Sequence, residues 1–313
     1  MRVSDSHNLS SQTTGPVQAD ARRKQKYDNI GYLFILPVVV FFCLFFIYPL
    51  GYTIRLSFYE WTGFSNDMTF VGLRNLHDVF SNWVFWTAAK NTILYAIVQT
   101  SLQTALGLIL ALVLDSRLLG REMFKVLFFT PVLVSIAVVS LLWGRIFEPN
   151  FGLLNGLLTK IGLGVLARPW LGDSQVALFA VISVSVWQGF GYSMVLFLAG
   201  LQNVLEDLKE AAKIDGASDL GVIWHITLPL LRPVIALVAT LTLIGALKVF
   251  EIIYVMTSGG PNHATETISS LLYYEAFRFN HMGIASAIAV VLLIGTMAMS
   301  ILQRRVMERE SEI

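Results

Sequence analysis

Six stretches of this 313-residue chain are long and apolar enough to cross a lipid bilayer, and they leave little room for anything else. A span needs about 20 apolar residues, rising 1.5 Å each, to cross roughly 30 Å of hydrocarbon. The stretches are Ile30–Thr53, Thr92–Leu114, Val126–Phe147, Val176–Gly200, Val234–Thr257 and Gly283–Leu302. In hydrocarbon every backbone amide must be satisfied within its own segment, so the spans are helices. The predicted fold class is therefore an all-α polytopic membrane protein with six transmembrane helices. Composition agrees: 14% of residues are charged, against about 25% in a soluble domain. A net charge of +1 gives no field directed at nucleic acid or an acidic partner.

Residues 1–29 are polar, end in the basic run ARRKQK and read as a disordered tail; residues 30–302 form the membrane domain, and 303–313 a second tail. The first apolar run is longer than a signal-peptide core and is followed by no A-x-A-like site, so it reads as an uncleaved anchor. Pro37 and Pro49 predict a kink or an exit point within it. Lysine and arginine are distributed unevenly. Five lie in the N-terminal tail and three each in the 115–125, 201–233 and 303–313 segments, against six over the longer opposite loops. The positive-inside rule places both termini in the cytoplasm. Arg145, near a span end, is expected to reach for the interface. The single cysteine, Cys43, cannot form an internal disulfide and is expected to be buried and inert.

Between the fourth and fifth spans the sequence reads EAAKIDGASDLGVIWHITLPLLRP, residues 210–233. Leu205, Leu208, Ala211 and Ala212 have helical spacing, and Asp215-Gly216 predicts a stop with a left-handed glycine cap. Ser218 is placed to cap a second short helix, which Pro229 and Pro233 are expected to end. Helices this short are marginal alone in water. The small residues Ala211, Ala212, Gly216 and Ala217, beside the carboxylate of Glu210, would suit the close approach of another protein. From the residues alone, a docking surface and a solvated connecting loop both remain open.

The spacing of Glu210-Ala211-Ala212, Gly216, Ile226 and Leu228-Pro229 resembles the signature loop of permease subunits in bacterial binding-protein-dependent ATP-binding-cassette (ABC) importers. Trp224 stands where an aromatic, often Phe, is common. FVGLRNL at 70–76, KNTILYA at 90–96, SGGPNHATETI at 258–268 and YYEAF at 273–277 look similar to the sugar-type branch, in particular the F- or A-type half of maltose-, trehalose- or glycerol-phosphate-like permease pairs. The resemblance covers residues 30–305. It implies a non-catalytic subunit in the bacterial inner membrane, with a second homologous permease, two copies of a cytoplasmic ATPase and an extracytoplasmic sugar-binding protein as partners. It implies that the hairpin, loop 201–233, is a cytoplasmic coupling helix seated in an ATPase cleft. Glu210 would then make an ion pair, Asp215-Gly216 the turn, Ala211, Ala212 and Ala217 the packing face, and Ile226, Leu228 and Pro229 the end of the motif. ATP and magnesium would bind the partner, and outer loops 54–91, 148–175 and 258–282 would receive the binding protein.

A candidate substrate path rests on two further features. Lys248 and Glu251 stand three apart in the fifth predicted span, as an ion pair on one helix face or as polar lining. The run WQGFGYS at 187–193 places Gln188 and Tyr192 on one face, as sugar-binding groups or as packing between helices. In similar sugar permeases, ligand contacts come from the spans on either side of the hairpin. By position this implies Gln188, Gly189 and Tyr192 opposite Gly245, Lys248 and Val249. No G-x-x-x-x-G-K-[ST] phosphate loop and no G-x-S-x-G elbow occur, and the five histidines have no metal-ligand spacing. SGGPNH could be a phosphate nest, but reads more simply as a turn. The competing reading is a secondary transporter of a small polar solute with no ATPase; a membrane enzyme would need clustered carboxylates or histidines, which the sequence lacks.

Overall fold

The computed structural model describes residues 34–64, 67–116 and 119–309, with the side chains of 306–309 excepted. The expected tail 1–29, the start of the first span and residues 310–313 lie outside the described residues. The chain divides into two compact units, Met1–Thr53 and Ile54–Ile313.

The first unit carries most of helix α1 (Phe34–Leu56). Pro49 has no N–H to offer the Phe45 carbonyl. A π turn over Cys43–Ile47, closed by the Tyr48 N–H on the Cys43 carbonyl, absorbs that gap. The expected kink or exit is thus a widened turn inside one helix, which runs past Thr53. Residues 34–52 are exposed throughout, Cys43 included. The expectation of a buried cysteine fails because an apolar residue on a span can be solvated by lipid as well as by protein.

The second unit begins with a small antiparallel pair, β1 (Tyr59–Glu60) and β2 (Thr69–Phe70), and α2 (Arg74–Ser81). The long α3 (Trp83–Asp115) starts nine residues before the predicted Thr92. Asn82 sets that start, its side chain accepting the Val84 N–H at 2.9 Å. Helix α7 (Ala177–Leu201) matches its predicted span to within a residue at each end. It packs along α3, and at Gly107 the two backbones approach closely: a methyl there would lie 2.6 Å from Ser193 Cβ and 3.0 Å from the Met194 amide. One apolar core gathers Tyr95, Val181, Leu243 and Ile253; another gathers Leu114, Phe197 and Leu231.

The third and fifth predicted spans are not single helices. Val126–Phe147 resolves into α4 (Arg121–Phe129, continued as a 3-10 turn to Leu133) and α5 (Ile136–Ile146), bent by 96°. Pro131 withholds an N–H and Val134 and Ser135 are extended, so the helix cannot continue. After α6 (Leu153–Lys160) and α7 comes α8 (Glu206–Ile214). Helix α9 then runs Asp219–Leu247 without a stop, and the chain resumes as short α10 (Glu251–Met256) and α11 (Ile268–Tyr273). The last helix, α12 (Met282–Arg309), continues beyond the expected Leu302. Among the described residues, five helices can span by length and composition, or six if the bent pair counts as one.

Candidate functional site

A cavity of about 630 Å³ lies in the second unit, within the size range of small-ligand sites. All seven residues of the candidate path, Gln188, Gly189, Tyr192, Gly245, Lys248, Val249 and Glu251, line it. The WQGFGYS run divides by face. Gln188, Gly189 and Tyr192 look into the cavity, whereas Trp187 packs on Trp143 at 5.3 Å and Phe190 on Phe128 at 6.0 Å. The packing reading is realised on one side of the helix, and on the other the polar residues line the cavity. Gln188 Nε2 donates to the Val134 carbonyl at 2.9 Å, satisfying a group freed by the break between α4 and α5.

Lys248 and Glu251 do not share a helix face. Helix α9 ends at Leu247, and Glu251 opens α10 across an irregular pair of residues. The Thr267 hydroxyl holds the freed Val249 carbonyl at 3.1 Å. Each charge suits its own half-helix: the ammonium lies at a C-terminus and the carboxylate in a first turn. Both side chains are exposed, and among the described residues neither enters a salt bridge. The ion-pair reading is overturned, and the lining position stands.

The sequence reading missed a third wall. Tyr95, Gln99 and Gln103 recur every four residues along α3 and all line the cavity. That period within an apolar span is the signal that could have found them. They form a polarised chain. The Gly189 carbonyl can only accept, so it fixes Gln103 Nε2 toward itself at 3.1 Å, with Ser193 Oγ at 3.2 Å. Gln103 Oε1 must then accept from Gln99 Nε2, at 3.2 Å. Among the described residues Gln99 Oε1 has no hydrogen-bond partner. Tyr95 and Ser185 share a short hydroxyl–hydroxyl bond next to this chain.

The hairpin is built largely as its residues suggest. Helix α8 carries Glu206 and Asp207 in its first turn and Lys213 in its last, complementing its dipole. Gly216 is left-handed at φ +90°. The Ala217 N–H reaches the Ala212 carbonyl at 2.9 Å and the Gly216 N–H the Lys213 carbonyl at 3.1 Å, a Schellman stop that Cβ-bearing residues adopt less readily. The Ser218 hydroxyl accepts the Gly221 N–H at 3.2 Å. Across the turn Lys213 Nζ and Asp219 Oδ1 pair at 2.8 Å. Their hydrogen bond pushes the ammonium pKa up and the carboxyl pKa down.

One expectation fails: Pro229 and Pro233 do not end the second hairpin helix. A π turn over Ile223–Thr227 precedes Pro229, and Pro233 lies inside α9, so the hairpin helix and the fifth span are one rod. Glu210, Ala211, Asp215, Gly216 and Ala217 are exposed; Ala212, Ile226, Leu228 and Pro229 are half-buried. Sequence reasoning overlooked Ile214 and Leu220, on either side of the turn, which are 86% and 68% exposed. Bare aliphatic side chains thus flank the charged tip.

The loop SGGPNH is a turn filled from within. Its Gly259 lies against the carboxylate of Glu266, which is buried and accepts the Ser270 hydroxyl at 2.6 Å. An anion has no place beside that carboxylate, so the nest reading is set aside.

Residues 103–311 match the family model described as binding-protein-dependent transport system inner membrane component. The chain is 42% identical, over 88% of its length and 95% of the relative's, to the probable ABC transporter permease protein YurN of Bacillus subtilis. It is 37% identical, over 91% of its length and 96% of the relative's, to the trehalose/maltose transport system permease protein MalF of Thermococcus litoralis. In fold it matches a chain of the bacterial alginate ABC transporter solved in complex with an alginate pentasaccharide-bound periplasmic protein. There the TM-score is 0.80 and the identity 23%, covering 92% of this chain and 97% of that one. Two thirds of the chain matched by the family model, and near full-length likeness to permeases, make this protein a member of the binding-protein-dependent transport system inner membrane components.

Proposed function

We propose that this chain forms half of the translocation path of an ATP-driven sugar importer and that the hairpin transmits the work of a separate ATPase to that path. The observation that carries the reading is the continuity of α9. Its first residue, Asp219, belongs to the hairpin, and its last turn, with Gly245, reaches the cavity wall 26 residues or about 39 Å away. A displacement at the hairpin is therefore passed to the cavity wall along one unbroken helix.

The geometry is compatible with the roles that the family resemblance implies. Glu210 offers an exposed carboxylate to a basic residue of the ATPase, and Ala211, Ala212 and Ala217 allow the partner to approach closely. Asp215-Gly216 holds the turn, while Ile226, Leu228 and Pro229 join it to the span. Ile214 and Leu220 add an apolar contact. ATP and magnesium bind the ATPase, whose closure draws the hairpins together and exposes the cavity to the outside; hydrolysis resets it. A desolvated ion pair at such a contact would cost about 3–5 kcal/mol to break. In the cavity, Gln99, Gln188 and Tyr192 supply amide and hydroxyl partners together with an aromatic face, a chemistry suited to polyhydroxylated ligands. The names of the relatives favour a sugar, and both termini are placed in the cytoplasm by the positive-inside rule.

Affinity purification in mild detergent tests the reading. The expected complex contains a second, homologous permease and two ATPase copies. Recovery of the chain without an ATPase would refute it and favour a secondary transporter.

A further inference from the structure

The hairpin has a second rigid connection to the cavity. Lys209, on α8, is a residue type that normally keeps its head in water, yet its side chain here is only 16% exposed. Its ammonium donates to Asp115 Oδ2 at 3.2 Å and lies 3.4 Å from Glu206 Oε2. Asp115 is the last residue of α3. A carboxylate there is opposed by the negative end of the helix dipole, so the site is costly unless a cation holds it. Lys209 supplies that cation from another helix, 94 residues away in sequence. Helix α3 is a continuous rod from Asp115 back to Gln103 and Gln99, about 18 and 24 Å along its axis.

We infer that the Lys209–Asp115 ion pair is a strut that makes α3, and with it the Gln99–Gln103 wall, follow the hairpin. The inference rests on the proposed docking of the hairpin on an ATPase and assigns a positioning role to two residues outside the signature motif. Helix α9 also packs on α3 through the core that joins Leu114 and Leu231, and the strut adds a direct tie from the first helix of the hairpin to the end of α3. With the strut, two walls move together and the cavity changes as a body. The Lys209 ammonium pairs with Asp115 and Glu206 and leaves the neighbouring Glu210 carboxylate exposed, so docking and transmission are separable.

The test uses the full complex in proteoliposomes, with Cys43→Ser removing the native thiol and Gln99→Cys reporting on the cavity through a soluble maleimide. ATP is expected to change the labelling rate at residue 99 by at least ~5-fold when Lys209 is present. With Lys209→Ala the ATPase should still co-purify and hydrolyse ATP, but the ATP effect on labelling should fall to about unity. The charge swap Lys209→Asp with Asp115→Lys should restore it, which a merely local packing role would not. Failure to fold would appear as loss of the co-purified ATPase, and Lys209→Arg then provides the milder variant, expected to keep the response. An undiminished ATP effect in Lys209→Ala, an absent effect with Lys209 in place, or no recovery in the swap would overturn the strut. If no ATPase co-purifies with the unaltered chain, the docking reading itself fails and the strut with it.

Discussion

Gly189→Ala is the substitution whose cost can be worked out most directly. A methyl at residue 189 would lie 2.6–2.7 Å from the amide atoms of Gln103. That amide is the far end of a flexible side chain, so the overlap is relieved by turning it away, and steric strain is not the main cost. The cost lies in three hydrogen bonds: Gln103 to the Gly189 carbonyl, Gln103 to Ser193, and Gln99 to Gln103. Side-chain hydrogen bonds in membrane proteins average about 0.6 kcal/mol, so three give ~2 kcal/mol. That is about a 30-fold shift in the unfolding equilibrium at 1.36 kcal/mol per tenfold. Gln103→Ala removes the same three bonds and also the obstacle. In the double variant the alanine at 189 should therefore add almost nothing, giving a coupling energy close to the full ~2 kcal/mol. The assay is a double-mutant cycle of reversible unfolding in mixed micelles. Additive costs would refute the argument, because they would mean that residue 189 and the Gln103 amide do not share one set of bonds.

Other outcomes follow from the same structure. Gly191→Ala would drive a methyl against the Phe128 carbonyl, which is backbone and cannot rotate away; it should cost more than Gly189→Ala, about 3 kcal/mol, with no rescue by Gln103→Ala in the same cycle. Because Lys248 and Glu251 form no salt bridge among the described residues, Lys248→Met and Glu251→Gln should have additive effects within ~0.5 kcal/mol on stability while each, on the proposed path, alters the sugar preference of uptake; strong stability coupling between them would restore the ion-pair reading. In the absence of Cys43, a cysteine at Ala217 should react with an impermeant maleimide only in inside-out vesicles; labelling in sealed cells would invert the topology and with it the docking of the hairpin. For the Lys213–Asp219 pair, the depressed carboxyl contributes above the usual aspartate value near ~4 and is lost only as pH falls through its lowered pKa. The raised ammonium contributes below the usual lysine value near ~10.4 and is lost as pH rises through its raised pKa. Amide exchange in residues 210–222, corrected for intrinsic rates, should thus be flat between about pH 5 and pH 9; a transition near neutrality would show that another group governs the hairpin.

Hydropathy alone determined that this chain is a bundle of membrane helices, because the need to satisfy backbone groups in lipid leaves no other choice for runs such as Ala177–Leu201. Local chemistry was equally legible in the hairpin, where the Gly216 stop and the Ser218 cap each follow from a single residue's backbone preference or side chain. Tertiary structure decided what depends on neighbours remote in the chain. The break after Leu247 is held by Thr267, and the break after Leu133 by Gln188, so two apparently continuous spans are interrupted by partners 18 and 54 residues away. Pro229 and Pro233 read locally as a helix end, but a π turn precedes Pro229 and Pro233 lies within α9, so the hairpin and the cavity wall belong to one helix. The cavity itself, with Gln99 and Gln103 opposite Tyr192, exists only once α3 lies against α7 at Gly107, because a polar face within a span has no defined partner until another helix is packed against it.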